Sequence, residues 1–64
     1  MPRGEEYWVR DKLDLLLQTK SLRKALHLAV EKSNNTGRQI KIEVLEKRPN
    51  GHYYVVDYLK VKVS

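Results

Sequence analysis

"EEYWVRDKLDLLLQTK" (residues 5–20) decides how the fold begins, because its apolar residues recur at helical spacing. Val9, Leu13, Leu16 and Leu17 stand at i, i+4, i+7 and i+8, one apolar stripe of an amphipathic helix. Glu5 and Glu6 fall at the positive N-terminal end of such a helix, where negative charge is favourable. Trp8 lies off the centre of the stripe, with Leu15 seven residues on. That widens the apolar face to suit packing against both a second helix and a sheet. The spacing therefore predicts a first helix from about Glu5.

"QTKS" (residues 18–21) interrupts the pattern, and Thr19 or Ser21 can cap a following helix through its hydroxyl. Beyond it, Leu22, Ala25, Leu26 and Ala29 share one face, with Val30 at its border. Lys20, Lys24, His27 and Glu31 occupy the opposite face, with Arg23 beside them. "SNNTG" ends this second helix, since Asn and Gly tolerate the left-handed conformation of a C-terminal cap. One continuous helix through "QTKS" is the alternative; two helices leave each stripe short and self-consistent.

From Arg38 the period changes to two. Ile40, Ile42 and Val44 alternate with Lys41 and Glu43, and Leu59, Val61 and Val63 alternate with Lys60 and Lys62. Both read as half-buried strands. Between them "RPNG" (residues 48–51) is a turn, and two registers compete. A two-residue Asn50-Gly51 loop pairs Ile42 with Leu59 and Ile40 with Val61, but asks Pro49 for a ladder hydrogen bond it cannot donate. A type I turn centred on Pro49 and Asn50, with Gly51 as a left-handed bulge, pairs Val44 with Val56 and Ile42 with Tyr58. It needs a further bulge between Asp57 and Leu59 to keep Leu59, Val61 and Val63 inward. The second solution suits the residues better.

The expected architecture is α+β: two N-terminal helices packed on a C-terminal two-stranded antiparallel hairpin. Residues 1–4 read as a flexible tail and residues 5–63 as one small domain. A chain of 64 residues buries only about 60 % of the surface its unfolded form exposes. There is no cysteine, which excludes disulfides and thiolate metal sites. A two-stranded hairpin has two open edges, so extension of the edge in a homodimer is expected as a source of stability.

The net charge of +5 is unevenly spread. Residues 1–14 hold three basic and four acidic side chains, a net of −1; residues 15–64 hold ten and four, a net of +6. No apolar signal segment or run of ~20 apolar residues is present, which points to a cytoplasmic protein without a membrane partner. No nucleophile elbow, phosphate loop or metal-ligand spacing occurs, so a non-enzymatic protein without cofactor or metal is expected. The basic balance suits a polyanion.

Two surfaces stand out as nucleic-acid contacts. Lys20, Arg23, Lys24 and His27 form a stripe on the second helix that could neutralise phosphates, or simply be a solvated face. Lys47 and Arg48 flank the turn, and tyrosines such as Tyr54 and Tyr58 on the strand beyond could stack on bases. Because strand side chains alternate, at most one of Tyr53 and Tyr54 can share a face with Tyr58. The expected function is a small basic nucleic-acid-binding regulator of duplex DNA or structured RNA. The alternative is a protein-interaction module or inhibitor that binds an acidic partner through the same basic face, the Trp and Tyr surface and a sheet edge.

Overall fold

The structure, a computed structural model, describes residues 5–63. The chain runs β1 (Glu6–Asp11), β2 (Asp14–Thr19), α1 (Leu22–Thr36), β3 (Ile40–Lys47) and β4 (Tyr53–Val61). The strands form one antiparallel sheet in the order β2-β1-β3-β4, and α1 packs on one face of it. The expected first helix is thus a β-hairpin, and the expected two-stranded sheet has four strands. The flexible tail assigned to residues 1–4 lies outside the described residues.

The correction has a local cause. In β1, Tyr7 and Val9 point into the core, while Glu6, Trp8 and Arg10 lie on the other face. Period two was therefore present, but an outward Trp beside an inward Tyr and Val hides it. In β2 an irregularity places Val9 opposite Leu17 and Arg10 opposite Leu15, with Leu16 the extra residue. That bulge shifts the apolar spacing by one and imitates a helical repeat. Leu13, the second residue of the supposed stripe, is 92 % exposed in the two-residue turn between the strands. Lys12 turns the corner at φ 57, a left-handed conformation usually given to Gly, Asn or Asp.

Helix α1 is the expected second helix. Ser21 caps it, its Oγ accepting from the Lys24 N–H at 3.4 Å. The helix runs on through Thr36, and Gly37 closes it at φ 73, its N–H donating to the Ser33 carbonyl at 2.8 Å. Ala25, Ala29 and Ser33 form the buried line of the helix. Their small side chains let the backbone approach the sheet closely. Val9, Ile40, Ile42 and Val44 are fully buried opposite, and Leu22, Leu28, Leu59 and Val61 pack around them. The buried Ser33 hydroxyl accepts a hydrogen bond from the Val63 N–H at 2.9 Å, so no polar group is lost to burial there.

The hairpin β3–β4 carries the turn that suits its residues. Gly51 N–H donates to the Arg48 carbonyl at 2.9 Å across Pro49 and Asn50, and Gly51 has φ 88. Leu45 then faces Val55, the type I register, while Ile42 faces Leu59 and Ile40 faces Val61. The extra residue that reconciles the two registers is Val56, slightly nearer the turn than the expected place. β1 pairs along the other side of β3, from Glu6–Leu45 to Arg10–Lys41. One edge of the hairpin is therefore covered within the same chain. The expectation of a homodimer was built on two open hairpin edges; β1 covers one of them, and among the described residues the outer edge of β4 stays open.

Two ion pairs join segments distant in the chain. Arg38, between α1 and β3, grips both carboxylate oxygens of Asp11 at the end of β1. Arg10 Nε donates to Glu43 Oε1 at 2.5 Å across β1 and β3. Among the described residues, no helix is long and apolar enough to cross a membrane.

Candidate nucleic-acid interface

Helix α1 covers one face of the sheet and leaves the other open. Strand register sets what the open face displays, in rows that run across the strands. One row is basic: Arg10 on β1 faces Lys41 on β3, which faces Lys60 on β4. The next row is aromatic at both ends: Trp8 faces Glu43, which faces Tyr58. Glu6, Leu45 and Val55 form a third row, and Lys47 with Tyr53 a fourth. Neighbouring strands lie about 4.8 Å apart and successive same-face residues about 6.7 Å apart. Three cations thus span about 10 Å beside a parallel row with a ring at each end.

The details of this face are ordered by its charges. The Lys41 ammonium lies 4.9 Å from the centroid of the Tyr58 ring, and the Arg10 guanidinium lies 5.8 Å from that of Trp8. Trp8 Nε1 donates to Glu6 Oε1 at 3.0 Å. Hydrogen bonding from Trp8 above all, with the nearby Tyr53 hydroxyl and the charge of Lys20, holds the Glu6 carboxyl below the usual carboxylate range. The proximity of Glu6 raises the Tyr53 hydroxyl above its ordinary value. Glu6 therefore braces the Trp8 ring. Leu45 is buried, although it belongs to this face and not to the core under the helix. Tyr58 is half exposed.

Lys41 opposite Lys60 is an unfavourable arrangement in an isolated sheet, because like charges directly opposite repel. The third cation, Arg10, is balanced by Glu43. A bound anion would relieve the lysine pair.

The residues expected from sequence are split among four places. Arg23, Lys24 and His27 are exposed on the outer side of α1, in the layer opposite the open face. His27 Nε2 lies 3.8 Å from Glu31 Oε2, both well exposed. Arg23 and Lys24 sit in the first turn of the helix, which has no acidic residue, so they face the positive end of its dipole. Lys20 precedes the helix in its connection to β2. Lys47 and Arg48 lie at the hairpin tip, where the Lys47 N–H donates to Glu5 Oε2 at 3.1 Å. Tyr54 is on the helix-side face, paired with Glu46, and helps build the tip. Its hydroxyl accepts from Asn50 Nδ2 at 3.0 Å, and the Arg48 guanidinium sits 5.4 Å from its ring centroid. Tyr58 alone of the two expected tyrosines reaches the open face, where Val55 separates it from Tyr53.

Trp8, Arg10, Lys41, Tyr53 and Lys60 were missed as site residues. For Trp8 and Arg10 the signal was the alternation of "YWVR" (residues 7–10), which a helical reading erases. Among the described residues, no group of three His, Asp or Glu side chains could hold a metal. Comparison with protein-family models, curated proteins and solved structures gave no match to this chain.

Proposed function

We propose that the chain is a non-enzymatic, single-strand nucleic-acid-binding protein, a small regulator that lays RNA or DNA across the open face of its sheet. The observation that carries this is the basic row Arg10–Lys41–Lys60 beside the aromatic row ending in Trp8 and Tyr58. Cations neutralise phosphates and release counterions, while exposed rings stack on splayed bases. An open sheet face that carries rings suits unstacked bases better than the closed grooves of a duplex. Duplex DNA or structured RNA, expected from the helix stripe, ranks behind it, because that stripe lies in the other layer and has no rings beside it.

Trp8 is the only tryptophan, so its emission reports on the face directly. Fluorescence anisotropy with labelled single-stranded and duplex probes at ~50 mM salt, where electrostatic association is strong, should show single strands bound more tightly and Trp8 emission quenched. Tyr58→Ala should cost about 1–3 kcal/mol at unchanged salt slope. Lys41→Gln should flatten the slope of log K against log salt by about 0.7. Absence of binding at low salt refutes the proposal.

A second reading has its own observation. Among the described residues the outer edge of β4 is unpaired, and Val55 and Val56 beside it are exposed. An extended acidic protein segment could add there as a further strand.

A further inference from the structure

We infer that Glu43 and Arg10 make the open face selective for guanine, an inference that rests on the single-strand reading above. Glu43 stands between Trp8 and Tyr58 in the same cross-strand row. Its side chain is only 13 % exposed, walled in by its neighbours. A carboxylate on a phosphate-binding face is unfavourable unless it meets hydrogen-bond donors. Oε1 already accepts from Arg10 Nε, while Oε2 has no hydrogen-bond partner among the described residues. A base stacked on either ring turns an edge along the row towards this group.

The carboxylate only accepts hydrogen bonds. Guanine presents two adjacent donors on its Watson–Crick edge, N1–H and the N2 amino group, which match two carboxylate oxygens. Adenine and cytosine present one amino donor next to a ring-nitrogen acceptor. Uracil and thymine present one N–H between two carbonyls, which the carboxylate repels. Arg10 adds a second element. Its Nε is held by Glu43 and its Nη1 donates to the Leu13 carbonyl at 3.4 Å. Its Nη2 is left to meet a guanine O6 or N7, the acceptors that arginine recognises in nucleic acids. The ion pair thus orients an acceptor and a donor side by side, and guanine offers the complement of both.

The test uses nine-residue uridine oligonucleotides with one central guanine, adenine, cytosine or uridine, titrated at 0.1 M salt with Trp8 emission and anisotropy as readouts. The guanine probe should bind more tightly than all-uridine by about tenfold to a hundredfold, the discrimination of one good bidentate contact. Adenine and cytosine should fall between. Glu43→Gln preserves shape and an acceptor for Arg10 but replaces one oxygen with a donor. It should abolish the guanine preference and leave the other three affinities close to their original order. Arg10→Lys keeps the charge but not the planar fork, so it should reduce the preference at unchanged salt slope. Circular dichroism checks the fold of both, and either suffices if the other fails to fold. Binding of all four probes with equal affinity overturns the inference while leaving the single-strand reading standing. So does an equal loss for every probe in Glu43→Gln. Failure of every probe to bind overturns the single-strand reading itself.

Discussion

Reversing one charge in the basic row should move stability and binding in opposite directions. Lys60 on β4 stands directly opposite Lys41 on β3. Opposite charges in such a cross-strand pair stabilise by about 0.2–1 kcal/mol, and like charges destabilise. Lys60→Glu exchanges one for the other, a swing of roughly 1 kcal/mol. A 64-residue domain holds about 3–10 kcal/mol in total at 0.05–0.15 kcal/mol per residue, so the gain is measurable. It corresponds to a rise in Tm of about 4–8 °C for a domain of this size. The gain should shrink at 1 M salt, where the Debye length falls to about 3 Å. Binding should change the other way. One lost phosphate contact removes about 0.7 from the salt slope of a single strand, which at 0.1 M salt is about a fivefold loss of affinity. The added negative charge should deepen that loss. Lys60→Gln should give a smaller change of each kind. The assays are thermal melts followed by circular dichroism at low and high salt, and anisotropy titrations across salt. An unchanged or lower Tm at low salt would refute the opposed-lysine geometry. Unchanged affinity and slope would remove Lys60 from the interface.

Ile42 is fully buried between Val9 and Leu59 under the helix, so Ile42→Ala should cost about 2–5 kcal/mol and Ile42→Val about 0.5–1.5 in urea unfolding; equal midpoints for the two would contradict this core. Lys12→Gly should raise stability by up to about 1 kcal/mol, because glycine relieves the φ of 57 at the β1–β2 turn; a loss would show that the turn is not strained. Gly51→Val should destabilise at the φ of 88, and an unchanged urea midpoint would reject the bulge at the hairpin tip. Acid should act through Glu6 and Asp11, whose carboxyls are lowered by bonds from Trp8 and from Arg38. A lowered folded-state value contributes stability that is present above the unfolded value and lost as pH falls through the folded one. Trp8 emission should therefore stay constant through the ordinary glutamate range and change below it, and Glu6→Gln should remove that transition; a midpoint at the unperturbed glutamate value would contradict the brace.

The C-terminal half of the fold was legible because its local signals agree with its tertiary role. Ile40, Ile42 and Val44 alternate without interruption, "RPNG" carries its own turn chemistry, and Gly37 marks the end of α1 where a left-handed residue is needed. The N-terminal half was not, because three local signals were missing or false. The β1–β2 turn uses Lys12 and Leu13 where glycine, asparagine or aspartate would announce it. The bulge at Leu16 breaks the period of two. Trp8, large and apolar, belongs to the open face, so hydrophobicity misreports which side is inside. Only pairing with β3 selects strand over helix here, and that pairing joins residues more than thirty positions apart.

The same division runs through the candidate site. The amino-acid sequence by itself determined that the chain is basic, cysteine-free and provided with tyrosines on a strand, all of which are properties of composition and of short-range periodicity. It also determined the turn at residues 48–51 and the helix that begins at Leu22, since capping and turn geometry depend on neighbours a few positions away. Which cations and rings lie together was decided only by the tertiary structure. Arg10, Lys41 and Lys60 are far apart in the chain and become one row through the order β1-β3-β4. Tyr54 and Tyr58, close in sequence, are parted because the extra residue Val56 changes the parity of the strand between them. Strand register is a sum of non-local hydrogen bonds, and a shift of one residue sends every side chain to the other face.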